Sequence, residues 1–322
     1  MSDNPIRQKL AELKGLARTA RIDLSREIEE LEKKLEASLM PENEAWRRVE
    51  LARHPERPTT LDYAHAMFDD FLELHGDRTF ADDPAMVGGI ALLGGRPVTF
   101  FGHQKGKNMK DNLKRNFGMA HPEGYRKALR LAHQAEKFCR PVLSFIDTPG
   151  AFPGVSAEER GISQAIAATM KGFAELTVPV VVTVLGEGGS GGAIGIGVGD
   201  VVLIMENAFY SVISPEGCAS ILLRDPSKAR HSASLLKLTP EYLLEFKVVD
   251  RIVREPPGGA HRDPAGAASA LKTAIMTALE DLDKKNGDTL LAERHAKYLS
   301  LGVFAEQEPQ RKSLLQRLRD FF

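Results

Sequence analysis

Seven residues in the middle of the chain, Gly186-Glu187-Gly188-Gly189-Ser190-Gly191-Gly192, follow directly on the apolar run VPVVVTVL. Their types and spacing fit three chemistries. Gly186, Gly188 and Gly191 spell G-x-G-x-x-G, the phosphate turn of a dinucleotide site. Gly188, Ser190 and Gly192 spell G-x-S-x-G, the elbow that presents a hydrolase serine. The third chemistry needs no side chain. Glycines ahead of a helix start bare their backbone N–H groups, with no Cβ in the way, to hold an oxyanion. A tight strand-to-helix connection packed on a neighbour would use the same residues.

The elements around the stretch weigh on each reading. A dinucleotide site needs a helix of fair length and then a strand ending in an acid. Glu206 does end the strand-like VVLIME. Gly195, Gly197 and Gly199 nevertheless each cost about 0.5–1 kcal/mol in a helix interior. A hydrolase would find Asp225, Asp250, His261 and His295 downstream, in the order Ser, Asp, His. Against it, Gly186 and Glu187 separate the expected strand end from the motif, whereas an elbow bends straight off its strand. The oxyanion reading asks only for the glycines that are present, and Glu187 either orients their loop or faces solvent.

A second stretch, FIDTPGAFPGVSAEERG, also places a glycine loop at the end of an apolar run. Asp147-Thr148-Pro149-Gly150 looks like the metal-side motif of a GTPase, but the chain has no G-x-x-x-x-G-K-[ST] loop to hold the phosphates, and that function is excluded. The pattern predicts a helix over 156–176, opened by Ser156 with Glu159 in capping-box spacing. Two successive strand ends with glycine loops fall on one edge of a largely parallel sheet, where ligands bind in α/β folds.

Around these stretches, helices are expected at 42–51, at 60–74 behind a Thr59/Asp62 capping box, and at 124–138. A hairpin is expected around Gly94-Gly95. Ser214, Pro215 and Glu216 in YSVISPEGCASIL read as N-cap, first position and first turn of a helix. Over residues 6–39, Leu10, Leu13, Ala17, Ala20, Leu24, Ile28, Leu31 and Leu35 form one apolar stripe between Pro5 and Pro41. That stripe is buried against its own domain or against a subunit.

Lys and Arg total 43 against 44 Asp and Glu, so the chain as a whole makes no electrostatic demand for nucleic acid or an anionic membrane. Its 2 cysteines, Cys139 and Cys218, form no metal-spaced cluster. The first residues lack the apolar run of a signal peptide, and the apolar stretches are strand-sized; a reduced, cytoplasmic protein is expected. The basic stretch HQKGKNMKDNLKRNF carries Lys105, Lys107, Lys110, Lys114 and Arg115. It reads as a hydrated face or as a contact for phosphates or a carrier protein, and its lack of interleaved aromatics counts against nucleic acid.

Taken in order, GHQKG, RNFGM, PEGYRKALRL, FIDTPGAFPG, AEERG, GEGGSGGA, IGVGD, YSVISPEGCASIL and GGAHRDP resemble the carboxyltransferase α subunits of bacterial-type acetyl-CoA carboxylase, over residues 42–298. The resemblance implies an α/β, crotonase-like fold, a spiral of ββα units with an N-terminal helical arm. The arm would be 1–41, the carboxyltransferase domain 42–300 and a C-terminal helical tail 301–322. It implies transfer of a carboxyl group from N1′-carboxybiotin, borne by the biotin carboxyl carrier protein, to acetyl-CoA, giving malonyl-CoA for fatty acid synthesis.

It further implies a carboxyltransferase β subunit in an α2β2 assembly, biotin carboxylase as a further component, zinc on the β subunit and no metal in this chain. Gly191 and Gly192 would bond the biotin ureido oxygen, with the thioester held by the β chain and the acetyl proton taken by biotin N1′. Gly150, Ala151, Gly188 and Gly189 would line the substrate, and Lys105 and Lys107 are candidates for the CoA phosphates. The alternative kept beside it is a Ser190-dependent α/β hydrolase.

Overall fold

A computed structural model describes residues 43–302; the expected arm at 1–41 and most of the tail at 301–322 lie outside the described residues. The chain enters through α1 (Glu44–Ala52) and α2 (Thr60–Met67). The second is opened by the expected capping box: the Thr59 N–H donates to Asp62 at 2.7 Å. The helix expected over 60–74 stops early, because Phe68 turns extended and Asp70–Glu73 becomes strand β1. Its burial alternates between exposed and half-buried, but Asp-Phe-Leu-Glu shows no matching alternation of apolar and polar residues, so the helical run before it was read through.

Strands β2 (Met86–Leu93) and β3 (Arg96–His103) form the expected hairpin, with Gly94 and Gly95 at φ 58° and 76°. Positive φ at both central residues is the type I′ geometry, which glycine supplies without the cost of a Cβ. The basic stretch folds into the short helix α3 (Met109–Lys114), whose N-cap Asn108 accepts from the Asp111 N–H at 3.0 Å. Helix α4 (Pro122–Lys137) then leads into β4 (Val142–Thr148), buried at every position.

The helix expected over 156–176 is two. Gly161 at φ 77° breaks it into α5 (Val155–Glu159) and α6 (Ile162–Glu175), and Gly154 rather than Ser156 stands at the first N-cap. Strand β5 (Val180–Gly189) follows, then α7 (Ser190–Ile194), β6 (Val201–Met205), β7 (Phe209–Ser211) and α8 (Pro215–Cys218). In α8 the Ser214 side chain caps the Gly217 N–H at 3.0 Å, as its sequence predicts. The described chain closes with α9 (Ala229–Leu235), α10 (Pro240–Glu245), β8 (Arg251–Val253), α11 (Pro264–Leu282) and α12 (Gly287–Leu299).

One sheet runs in the order β1-β2-β3-β4-β5-β6-β8, antiparallel at β1 to β3 and parallel thereafter. Strand β5 is the hinge of the architecture. Its first half pairs with β6 over Val181–Val184, while Glu187, Gly188 and Gly189 pair with β7. A β strand has one partner on each side, so the second half of β5 has turned to a new neighbour. Packing on both faces buries Val182, Val184, Phe145, Ile146 and Leu203 completely. By area, each such side chain contributes about 1.5–3 kcal/mol of apolar burial.

Candidate active site

The turn in β5 begins with a register shift against β4. Ile146 is paired with Val184 and Thr148 with Gly188, so three residues, Leu185, Gly186 and Glu187, stand opposite Asp147 alone. A bulge of this size frees backbone groups that must be satisfied elsewhere. Charged side chains do so here. The Glu187 N–H donates to Asp147 Oδ1 at 3.0 Å, and the Leu185 carbonyl accepts from Arg57 Nε at 2.9 Å and Nη2 at 2.6 Å. Gly186 fits between them because a Cβ there would lie 2.9 Å from Asp147 Oδ1 and 3.0 Å from the Ala52 carbonyl.

The bulge aims the two glycine loops at each other. A Cβ on Gly192 would meet the Gly150 carbonyl carbon at 2.3 Å and the Ala151 nitrogen at 2.5 Å. Gly188 and Gly189 are buried, while Gly150 and Ala151 are half-buried, with open space beside Gly150. Gly191 is also different: its nearest neighbour to a Cβ would be Ile166 Cδ1, 3.8 Å away. Internal packing does not require glycine at 191, and the position is open to an incoming molecule.

Helix α7 offers its first-turn N–H groups without a side-chain cap. At five residues it aligns few peptide dipoles, so individual N–H groups, more than a macrodipole, are what the site presents. Tyr125 reaches the Gly192 carbonyl from behind at 3.3 Å, and its ring leaves no room for a Cβ on Gly195. An apolar cavity of about 540 Å³ opens beside Ser190 and Gly191, lined by Met170, Ile194, Val198, Leu243 and Val248 among others.

The dinucleotide reading fails on this geometry, because Gly186 and Gly188 belong to strand β5 and not to a phosphate turn. The objection raised against the hydrolase elbow fails as well. The strand runs on through Gly189, so Ser190 does follow it directly, at φ 51° in the left-handed region. What removes the hydrolase is the placement of its partners. Asp225 accepts from Ser227, Asp250 accepts from the Val202 N–H, His261 stacks on His54 and His295 bonds the Ala174 carbonyl.

Lys105 lies at the bulge, in a second cavity lined also by Arg53, Asp147 and Glu187. Its ammonium sits 2.8 Å from Asp147 Oδ1 and 3.1 Å from Glu187 Oε2, with the side chain only 19% exposed. Glu187, buried and not facing solvent, is also bound by Arg53 at 2.7 Å, which bonds Glu216 in α8 at 2.7 Å. Burial works to raise the Glu187 pKa, but the charges of Lys105 and Arg53 outweigh it and hold the carboxyl below its ordinary value. Burial likewise works to lower the Lys105 pKa, and Asp147 and Glu187 raise it above the usual lysine range. Lys107 points outward and pairs with Asp62. Arg53 was not singled out in the sequence, and Asp147 was noted there only as part of the rejected GTPase-like motif. The available signal was a carboxylate at the end of each fully apolar run, FID and VLGE, since a buried charge demands a counter-ion.

Among the described residues no group of His, Cys, Asp and Glu is arranged to hold a metal ion, and no helix is long and apolar enough to cross a membrane. Solved structures share the fold. The transcarboxylase 12S core superposes with a TM-score of 0.60 at 19% identity, covering 85% of this chain and 47% of that one. A Pseudomonas malonate decarboxylase hetero-tetramer in complex with coenzyme A gives a TM-score of 0.59 at 17% identity, covering 81% of this chain and 97% of that one. The architecture is that of the crotonase-like carboxyltransferases.

The sequence narrows the class. The family model described as acetyl co-enzyme A carboxylase carboxyltransferase-like matches residues 3–302. Acetyl-coenzyme A carboxylase carboxyl transferase subunit alpha of Treponema denticola is 52% identical over 306 residues, covering 95% of this chain and 100% of that one. The subunit of the same name from Thermus thermophilus is 55% identical over 302 residues, covering 92% and 96%. The chain belongs to the family of acetyl-CoA carboxylase carboxyltransferase alpha subunits.

Proposed function

We propose that the chain, together with a carboxyltransferase β subunit, moves the carboxyl group of carboxybiotin to acetyl-CoA and forms malonyl-CoA. In this reading the N–H groups of Gly191 and Gly192 hold the biotin ureido oxygen. The observation that carries it is Gly191: a glycine that packing does not need, at an uncapped helix start, with open space in front of its Cβ position. The apolar cavity beside it suits a largely apolar bicyclic ligand whose polar edge faces the loop. Carboxybiotin supplies the carboxyl group; the chain supplies donors fixed before the charge develops, and losing one such donor costs about 2.7–4 kcal/mol of transition-state stabilisation.

Assembly as α2β2, zinc on the β subunit, delivery by the biotin carboxyl carrier protein, loading by biotin carboxylase and a cytoplasmic setting belong to the same proposal. So does contact of Lys107, Lys110 and Lys114 with CoA phosphates. These three lie on the exposed face of α3 or just ahead of it.

The test is malonyl-CoA decarboxylation with biotin as acceptor, on the chain with and without its β subunit. Activity is expected only with β. Gly191→Val should keep the melting temperature of the wild type and lose activity by about 10²–10³-fold. A Gly191→Val enzyme with full activity would remove the oxyanion assignment.

A further inference from the structure

The oxyanion reading leaves unexplained why two buried carboxylates stand in the two strands that lead into loops meant to hold negative charge. Asp147 is the last residue but one of β4 and Glu187 lies in the bulge two residues before Gly189, each with a side chain only 6% exposed. Unbalanced, both would oppose any anion at Gly191 and Gly192, and in a water-poor site that opposition is strong.

We propose that Lys105 is a positioning residue, whose ammonium bridges Asp147 and Glu187 so that the bulge keeps its shape and the oxyanion loop stands over a charge-balanced floor. The proposal rests on the oxyanion reading and assigns Lys105 to the loop and away from the CoA phosphates. Three segments distant in sequence meet at this one nitrogen: the end of β3 through Lys105, the end of β4 through Asp147 and the bulge of β5 through Glu187. Asp147 Oδ1 is shared between the Lys105 ammonium and the Glu187 N–H, so the same contact that neutralises charge also closes the bulge.

The groups facing this cluster are few. From the α1 end Arg53 binds Glu187 and is itself shared with Glu216 of α8. Arg57 is balanced by Glu255, with the Tyr63 hydroxyl beside Arg57 and Asp147. His103 lies close enough to feel the Lys105 charge and is neutral. Among the described residues Arg53 is thus the one further cation bonded to Glu187, and Glu216 already draws on it. Without Lys105 the two carboxylates cannot both stay ionised at little cost, and one takes up a proton.

The experiment uses the chain reconstituted with its β subunit, following malonyl-CoA decarboxylation with biotin as acceptor between pH 5.5 and 9. For Lys105→Met we expect kcat at pH 8 to fall about 10–100-fold with KM for malonyl-CoA within about twofold. Part of the loss should return toward acid pH, through an ionisation the wild type lacks, as the carboxyl pair is protonated. Lys105→Arg should restore most of kcat. The double variant Lys105→Met/Glu187→Gln, which removes one negative charge along with the positive one, should be more active and more heat-stable than Lys105→Met alone.

Should Lys105→Met fail to assemble, recovery of folded, active enzyme in the double variant still carries the proposal, and a double variant no better than the single overturns it. A Lys105→Met enzyme whose KM rises while kcat holds overturns it too, in favour of a phosphate contact. So does a pH profile identical to the wild type's. Full activity in Gly191→Val alongside the predicted Lys105 pattern would instead remove the oxyanion reading and leave the charge balance standing.

Discussion

A Cβ built on Gly189 would lie 2.1 Å from the carbonyl oxygen of Pro149. The two glycine loops therefore touch through their backbones, and the distance between the ends of β4 and β5 is set by the absence of one methyl group. Real Cβ atoms do not come that close to a carbonyl oxygen, and neither partner is a flexible side chain that can swing away.

Gly189→Ala should accordingly destabilise the protein by at least about 1–3 kcal/mol, the usual cost of forcing extra volume into a packed site. It should also lower activity, because the loop before Ser190 must move. Gly150→Ala, where a Cβ meets nothing within 4 Å, should leave the melting temperature unchanged. Thermal unfolding of both variants, followed side by side, checks the contrast; equal stability of the two would show that the loops do not meet as described.

Ser190 is exposed and strained at φ 51°, and it carries no part of the proposed chemistry. Ser190→Ala should retain carboxyl-transfer activity within a few-fold. Ser190→Gly should match or slightly exceed wild-type stability, since glycine adopts the left-handed conformation without the cost a Cβ imposes. Activity falling by orders of magnitude in Ser190→Ala would reopen the nucleophile reading.

These predictions rest partly on features the sequence displayed and partly on features it hid. The hairpin at Gly94-Gly95, the two apolar strands and the Ser214-Pro215 helix start were legible because each is decided within a few residues. The ends of β4 and β5 falling on one edge followed from their parallel pairing. Strand β1 was not legible, since Asp70–Glu73 becomes a strand by pairing with β2, not by its own pattern. Nor was the break at Gly161, where a single glycine in a strongly helical run is compatible with continuation. The bulge opposite Asp147 and the Lys105 bridge were out of reach for a different reason: they join residues 105, 147 and 187, and no local spacing records that meeting.

His103 gives the stability a pH dependence. It is fully buried behind the Gly192 loop, with only the Gly192 and Phe145 backbone beside its ring nitrogens and no well-formed hydrogen bond to either. Burial, reinforced by the Lys105 charge, lowers its pKa from 6.5 to about 3, with the nearby Gly192 and Phe145 backbone offsetting only part of the effect. The unfolded chain therefore binds a proton that the folded chain refuses between those two values. Stability tied to this group is complete above about pH 6.5 and declines as the pH falls toward 3, with a limiting slope of about 1.4 kcal/mol per pH unit for one proton. Denaturant unfolding of His103→Leu across pH 7 to 4 should show a slope shallower by that single proton. An unchanged slope would mean that the buried ring is not the group refusing the proton.

Among the side chains that fasten the last described helix, one is a buried cation. Arg294 of α12 is almost wholly buried; it binds Asp200 through Nε at 2.9 Å and Nη2 at 2.8 Å, and donates to the carbonyls of Phe173, Leu176 and Val178. Asp200 in turn accepts the Val180 N–H at 2.7 Å, at the start of the strand that ends in the glycine loop. Removing the guanidinium leaves a buried carboxylate without its cation and takes a donor from three carbonyls, of which, among the described residues, only that of Phe173 keeps another, the Leu176 N–H. Breaking a buried ion pair from one side costs about 3–5 kcal/mol. Arg294→Met should lose stability on that scale. Arg294→Met/Asp200→Asn should regain part of it, because the uncompensated charge is gone while the Val180 N–H can still be accepted by the amide oxygen. Urea unfolding of the two variants decides the point: a single variant within about 1 kcal/mol of the wild type would show that α12 is held by its apolar face, through Leu290 and its neighbours, and not by the charge pair.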